Sequence, residues 1–468
     1  MRKVLDDTLG RHFDGILVRP GDPGFDAARS VWNVDIDRRP ALIARPAAPE
    51  AVAVAIAHAR HRGLPVAIRG GGHGLAGHGT ADGALVLDLS GLDGLEVDAR
   101  SRTVTAGGGL RWGPLDAAAQ EHGLAVTGAD APQVGVAGTA LGGGFGWLHR
   151  LYGLTCDNLV EAEVVTADGA TRRVDAGSEP ELFWALRGGG GNFGAVTRTR
   201  FALHPLRELT GGVLVHPIER GARVLRRYQE VADAAPGRLA VRLTLMAAPP
   251  APFVPEPVRG RPIVMVGVAA FAPPDEAARM LRPLREFGPP VADAVRPMSY
   301  LQLQQPPNRF PERQRAHGAS HFLGRLDDAA IDGLLAAAAD APGRLAMLQI
   351  QQLGGAIAET PPEATPFGFR DAAHLVAVNA LAERDDAAAG LAAWSAKASA
   401  AIRPHATGGP YVNFVSADEP ASYVPGAFAP DAYARLTAVK KAYDPDNLFR
   451  FNANIAPSAT PSAPRPQE

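Results

Sequence analysis

The chain has 468 residues, with 47 Lys plus Arg against 49 Asp plus Glu, 46% hydrophobic residues, 52 Gly, 41 Pro and a single Cys. That length exceeds one compact core and predicts roughly two domains. The near-neutral charge excludes a surface that coats nucleic acid or anionic lipid, and one cysteine excludes an internal disulfide and a multi-cysteine zinc or iron–sulfur site.

The N-terminus, Met1-Arg-Lys-Val-Leu-Asp-Asp-Thr, turns acidic before an apolar run develops, so no secretory leader is expected and the default location is cytoplasmic. No window approaches 18 consecutive apolar residues, so no membrane span is expected. From about residue 40, Pro49-Glu-Ala-Val-Ala-Val-Ala-Ile-Ala-His-Ala-Arg reads as a helix with Pro and Glu in its first turn. Short apolar strands follow at Val66-Ala-Ile and Leu85-Val-Leu-Asp-Leu, with another through Val104 that ends at Gly107-Gly-Gly109. A helix near Gly113 to His122, a glycine-rich turn from Gly135 to Gly146 and a strand at Ala162-Glu-Val-Val-Thr with the hairpin signal Ala167-Asp-Gly169 complete a mixed α and β unit. Beyond about 208 the pattern changes. Leu239-Ala-Val-Arg-Leu-Thr-Leu and Ile263-Val-Met-Val-Gly-Val read as strands, and segments starting at Pro274 and Asp327 read as helices. The expected fold class is α+β, with the second unit an antiparallel sheet covered by helices on one face.

Three glycine clusters stand out: Arg69-Gly-Gly-Gly-His-Gly-Leu-Ala-Gly-His78, Gly135-Val-Ala-Gly-Thr-Ala-Leu-Gly-Gly-Gly-Phe-Gly146 and Arg187-Gly-Gly-Gly-Gly-Asn-Phe-Gly194. Backbone N–H groups freed of side chains can close on an anion such as pyrophosphate, so three such loops point to one large phosphorylated cofactor; tight turns without a ligand are the alternative. A nicotinamide-dinucleotide fold is the other competitor, with Asp88 near the distance of a ribose-binding acid. The segment Ala76-Gly-His-Gly-Thr-Ala-Asp-Gly83 is too broken to be the helix that fold requires. His73, flanked by glycines, is presented to whatever the loop cradles. Neither His73 nor His78 has Asp, Glu or Cys at ligand spacing, so no metal is expected.

Arg69-Gly-Gly-Gly-His73, Gly142-Gly-Gly-Phe-Gly146 with Tyr152-Gly-Leu-Thr-Cys-Asp-Asn158, Phe183-Trp-Ala-Leu-Arg-Gly-Gly-Gly-Gly-Asn-Phe-Gly194 and Tyr443-Asp-Pro-Asp-Asn-Leu-Phe-Arg450 resemble the berberine-bridge-enzyme-like branch of the FAD-linked oxidases. The resemblance runs from about 38 to 456. It implies a PCMH-type FAD-binding domain of two α+β subdomains at 38–207, a substrate-binding domain at 208–410 and a segment at 411–456 returning to the first domain; residues 457–468, rich in Pro and Ser with almost nothing to bury, read as a disordered tail. It also implies FAD carried on its 8α-methyl by the imidazole of His73, a bond that raises the flavin potential and prevents cofactor loss. The expected cofactor-binding set is Arg69, Gly70, Gly71, Gly72, His73, Gly74, Gly77 and His78 from the first cluster. Gly135, Gly138, Thr139, Gly142, Gly143, Gly144 and Gly146 come from the second. Asp157, Asn158, Asn192, Gly194, Val196, Tyr411, Asn413, Asn452 and Asn454 complete it.

Two departures from the family pattern matter. Members with a second, cysteinyl flavin bond carry Cys-Pro where this chain has Ala131-Pro132, so attachment is expected through His73 alone, with Cys156 a buried apolar residue. The family's Tyr-x-Asn-Tyr motif, whose final tyrosine deprotonates a substrate hydroxyl in several plant members, is here Tyr411-Val-Asn-Phe414. An alcohol needs that base; a neutral amine loses hydride without it. The resemblance therefore implies an oxidase acting on a small amine or hydroxyl-bearing substrate, with O2 as acceptor and H2O2 as product. Tyr411, Tyr152, His149 and Tyr300 are candidate substitutes for the base. A dehydrogenase using another acceptor, and an inactive flavin-binding protein, are the alternatives. The strand His374-Leu-Val-Ala-Val-Asn-Ala borders the substrate, with Val376 and Val378 on one face and Asn379 on the other.

Overall fold

The computed structural model describes residues 9–206, 208–286, 288–305, 313–382 and 390–457; of the expected tail, 458–468 lie outside these. The first sheet has strand order Gly15–Val18, Leu42–Pro46, Leu85–Asp88, Val66–Arg69. The last three are parallel, and Gly15–Val18 adds an antiparallel edge upstream of residue 38. The helix Pro49–Arg62 makes the crossover. Pro49 opens it, and Gly63 at φ 63° ends it in the left-handed conformation that spares a side chain. Val52, Ala55, Ile56 and Ala59 pack onto Leu85 and Leu87.

The second sheet is antiparallel, in the order Leu95–Asp98, Thr103–Gly107, Ala195–Ala202, Leu159–Val165, Thr171–Val174. The stretch 135–146 is not simply a turn: Val136–Leu141 is helical, because Val136 and Ala140 bury against Trp112 and Val126 before the glycines break the helix. The third sheet is antiparallel throughout. Its order is Ala292–Asp293, Leu209–Pro217, Pro262–Ala270, Leu239–Ala247, Ala346–Gln352, His374–Ala382, Arg315–Leu323, with Arg296–Met298 also paired to Leu209–Pro217. Alternation sends Val241, Leu243, Leu348, Ile350, Val376 and Val378 into a core shared with the helices Gly221–Ala234, Pro274–Arg285, Asp328–Ala339 and Leu391–Ile402. The opposite face, with Arg242, Thr244, Gln349, Gln351 and Asn379, turns toward the first two sheets. The architecture is α+β. No helix among the described residues is long and apolar enough to cross a membrane.

The C-terminal segment returns to the second sheet's core through Leu436, Val439, Ala453 and Ile455. Its clasp is the pair Lys440–Asp444, fully buried at 2.6 Å. Lys440 Nζ also donates to the carbonyls of Asn192 at 2.8 Å and Phe449 at 3.0 Å, and Asp444 accepts from the N–H groups of Leu448 and Phe449. Removing one partner of a buried pair strands the other charge. Lys440→Met should therefore cost roughly 3–5 kcal/mol in urea unfolding, and a variant as stable as the parent would show the clasp to be idle. Burial holds the imidazoles of His321 and His374 down to about 4, with Arg403 and Arg150 adding smaller effects in the same direction. Both rings are neutral in the fold, yet take up protons near the ordinary 6.5 once unfolded. Stability is thus complete above about pH 6.5 and falls as pH drops toward about 4. Urea midpoints at pH 7.5 and 5 should differ in that direction.

Candidate functional site

The first glycine loop leaves the strand Val66–Arg69 and meets the second at very short range. A Cβ on Gly71 would lie 2.4 Å from the backbone nitrogen of Gly135, so only glycine permits the approach. Arg69 runs along the loop, against Gly72 and Gly79, into a buried ion pair with Asp88 at 3.0 Å and donates to the carbonyls of Ala28 and Ser30. Asp88, the acid a dinucleotide fold would spend on ribose, is used up by Arg69 and Arg45.

His73 stacks on Trp32 with centroids 4.3 Å apart and planes at 20°. Trp32 is held there by its N–H bond to the Gly72 carbonyl, 3.0 Å. Burial pushes the His73 imidazole down to about 4, so the ring is neutral at ordinary pH. Its Nε2 and the indole Nε1 of Trp32 are both buried with no hydrogen-bond partner among the described residues. Buried polar atoms of this kind call for a partner group. Two more, Oδ1 of Asn452 and of Asn454, lie on the returning C-terminal segment. The orphaned atoms and the side-chain-free loops fit a large bound cofactor. His78 is likewise neutral, held down by burial and then by Arg38. Gly77 packs on Ile36, and Gly74 is exposed.

Several expected residues spend their side chains on the protein. Asn158 donates to the carbonyls of Tyr152 and Leu154 and faces His204 through Oδ1. Asp157 pairs with Arg370 at 2.7 Å. Asn192 binds Gly189 O, Ala453 O and the Ile455 N–H. Thr139 bridges Trp112 and Gly135, while Gly194 and Val196 pack into the second sheet. Gly138 has open space where a side chain would go.

The second loop faces the third sheet. Gly144 has φ 91°, and a Cβ there would strike Thr155 Oγ1. Its N–H donates to the Tyr411 hydroxyl at 2.9 Å, which also accepts from Asn413 Nδ2 at 3.0 Å. Burial raises the Tyr411 phenol far above its ordinary value, against the pull of those two donors. Phe145 sits between Tyr411 and His149, at 4.8 and 5.8 Å, in an apolar cluster with Phe322, Phe367 and Cys156. The Cys156 thiol is buried and pushed well up by that burial and then by Asp157, so it stays protonated. His149 bridges the two halves: Nε2 meets the Gln352 carbonyl at 2.6 Å, and Nδ1 faces Gly146 O. Burial pushes its ring down to about 4, against the two carbonyls. Gly142 and Gly143 approach Asn413 and Phe367, and Gly146 the backbone of Gly128. The structure thus brings Tyr411 and His149 to one loop, but not Tyr152. That hydroxyl donates to Pro205 O at 2.7 Å, and its ring stacks on His204. Tyr300 is buried elsewhere with its hydroxyl unpartnered among the described residues. Trp32 precedes the region where the family motifs begin, so no motif marks it. Among the described residues, no group of three or more His, Cys, Asp or Glu could hold a metal.

Comparison with known proteins agrees with this geometry. Residues 40–175 match the FAD binding domain family, and 410–456 match the berberine and berberine-like family. The chain is 32% identical over 465 residues to (R)-6-hydroxynicotine oxidase of Paenarthrobacter nicotinovorans, covering 95% of this chain and 97% of that protein. It is 28% identical to an FAD-linked oxidoreductase of Dictyostelium discoideum, covering 95% of each. The crystal structure of 6-hydroxy-D-nicotine oxidase from Arthrobacter nicotinovorans superposes with a TM-score of 0.85 at 28% identity, over 95% of this chain and 98% of that one. BBE-like 1 from Physcomitrella patens, 24% identical with a TM-score of 0.86 over 97% of this chain and all of that one, shares the fold. With both motif regions, whole-length identity and a common fold in agreement, the chain belongs to the berberine-bridge-enzyme-like FAD-linked oxidoreductases.

Proposed function

We propose that this protein is an oxidase whose FAD is attached through the His73 imidazole alone, and that it oxidises a small amine or hydroxyl-bearing substrate with O2 as acceptor, releasing H2O2. In this reading, residues 38–207 and 411–456 hold the flavin and 208–410 supply the substrate side. The carrying observation is His73, a neutral, stacked imidazole with a buried nitrogen left unpartnered among the described residues. A neutral ring keeps the lone pair that attachment requires. Ala131 offers no sulfur for a second bond, and the buried, protonated Cys156 thiol is a poor substitute.

Gly70 to Gly72 and Gly135 offer backbone donors where no side chain intervenes, suited to the pyrophosphate, and Asn413, Asn452 and Asn454 suit the ring edge. Bound there, FAD would supply the acceptor for hydride from a substrate C–H, with the electron pair passing on to O2. Phe145, Phe322 and Phe367 form an apolar wall that keeps water from this chemistry. Tyr411, its phenol held protonated and already accepting two hydrogen bonds, is a fixed strut for the Gly144 loop and a weak base. With Phe414 beside it at 5.0 Å, the site favours substrates that need no proton removed first.

Acid-precipitated protein should come down yellow, whereas His73→Ala should release all its flavin to the supernatant; a colourless wild-type pellet would sink the attachment. Air-dependent peroxide release, assayed over a panel of amines, alcohols and sugars, distinguishes an oxidase from a dehydrogenase and from an inactive binder. Phe414→Tyr should raise alcohol turnover about tenfold or more while leaving amine turnover within about twofold. Unchanged alcohol turnover, with amines never used, would overturn the argument from the base.

A further inference from the structure

Between the second glycine loop and the polar face of the third sheet lies a cleft lined by Gly146, Trp147, His149, Ala240, Arg242 and Gln351. Asp130, directly before the Ala131-Pro132 step, accepts from Arg242 Nη1 through its Oδ2, so the carboxylate sits against a residue of the cleft wall. Arg242 is otherwise spent: its guanidinium lies 4.4 Å over the Trp147 ring, and its side chain is only 9% exposed. The Asp130 side chain keeps 38% of its surface exposed. Burial pushes its pKa up, but Arg242 outweighs this and holds it below the usual carboxylate range, so it remains an anion. In register with Arg242 on the next strand is Gln351, whose Oε1 is buried without a partner among the described residues. The cleft thus holds that unpartnered amide oxygen and an aromatic wall, with the Asp130 carboxylate next to its arginine, which that carboxylate already matches.

We propose that Asp130, braced by Arg242, anchors the substrate by accepting a hydrogen bond from a protonated or N–H-bearing nitrogen, with Gln351 as second acceptor. The inference rests on the oxidase reading above and narrows it to organic cations, amines in particular, over carboxylates. Other charges facing the pair reinforce this choice. Burial keeps His149 neutral, and the nearby groups Asp116 and Tyr300 carry no positive charge.

The test is calorimetric, with benzamidine as the cationic probe and benzoate as the anionic one, titrated into holoenzyme at pH 7.5. Wild type should bind benzamidine at least tenfold more tightly than benzoate. Asp130→Asn removes the anion and leaves Arg242 unmatched, so the preference should invert, with the ratio changing about a hundredfold. Arg242→Gln frees Asp130 and should tighten benzamidine severalfold, which keeps the inference testable if the first variant folds poorly. Equal binding of the two probes by wild type, no binding of either, or a ratio untouched by both variants overturns it. Heat of binding does not depend on turnover, so a protein that binds benzamidine as expected yet releases no peroxide would count against the oxidase reading and leave the anchor standing.

Discussion

The placement of the third sheet against the flavin-binding part depends on one buried cation. Arg150 follows the glycine loop, is only 5% exposed, and reaches across the seam to donate to the carbonyls of Leu239, Ala235 and Leu353. These carbonyls sit at strand ends and connecting turns, where the ladder leaves acceptors unused; buried without a donor, each would cost about 1–3 kcal/mol. His149 does the same for Gln352 O. The loop that begins as glycine for close approach therefore ends as a pair of basic residues that fix the sheet's distance from it. Every feature of the cleft, from the Tyr411 strut to the Asp130–Arg242 pair, inherits that spacing.

A second clasp works from the other end of the chain. Lys440 and Asp444 lock the Asn192 loop to the returning segment, so the asparagines of 452–454 arrive beside the third glycine cluster. The two clasps differ in kind. Among the described residues Arg150 donates to carbonyls, whereas Lys440 has a full ion pair. The C-terminal clasp is therefore the more sensitive to loss of one partner.

Local sequence signals and tertiary packing diverge at particular residues. The helix Pro49–Arg62 and the alternating strands were readable because their signals are local: Pro in the first turn, Gly after the last, period 2 along Leu239–Ala247. The helix hidden in 135–146 was not, since Val136–Leu141 is too short to show a period and forms only because Trp112 covers it. Arg69, Asp157, Asn158 and Asn192 share motifs with the glycines, which suggested contact with the cofactor. Their side chains hold the loops in shape, a role that motif membership cannot separate from binding.

What the sequence by itself determined was the set of loops that must lack side chains, the histidine placed among them, the absence of a cysteine at Ala131 and the substitution at Phe414. Each is a property of a few consecutive residues. What only the tertiary structure decided was pairing over long separations: Trp32 onto His73, Asp130 onto Arg242, Arg150 onto Leu239 and Leu353. It also decided which face of the third sheet looks inward. Val376 and Val378 go to the helices because those helices bring their own apolar stripes, leaving the glutamines, Thr244 and Asn379 to face the cleft. Such choices follow from which surfaces find an apolar partner in three dimensions, and no local pattern contains that information.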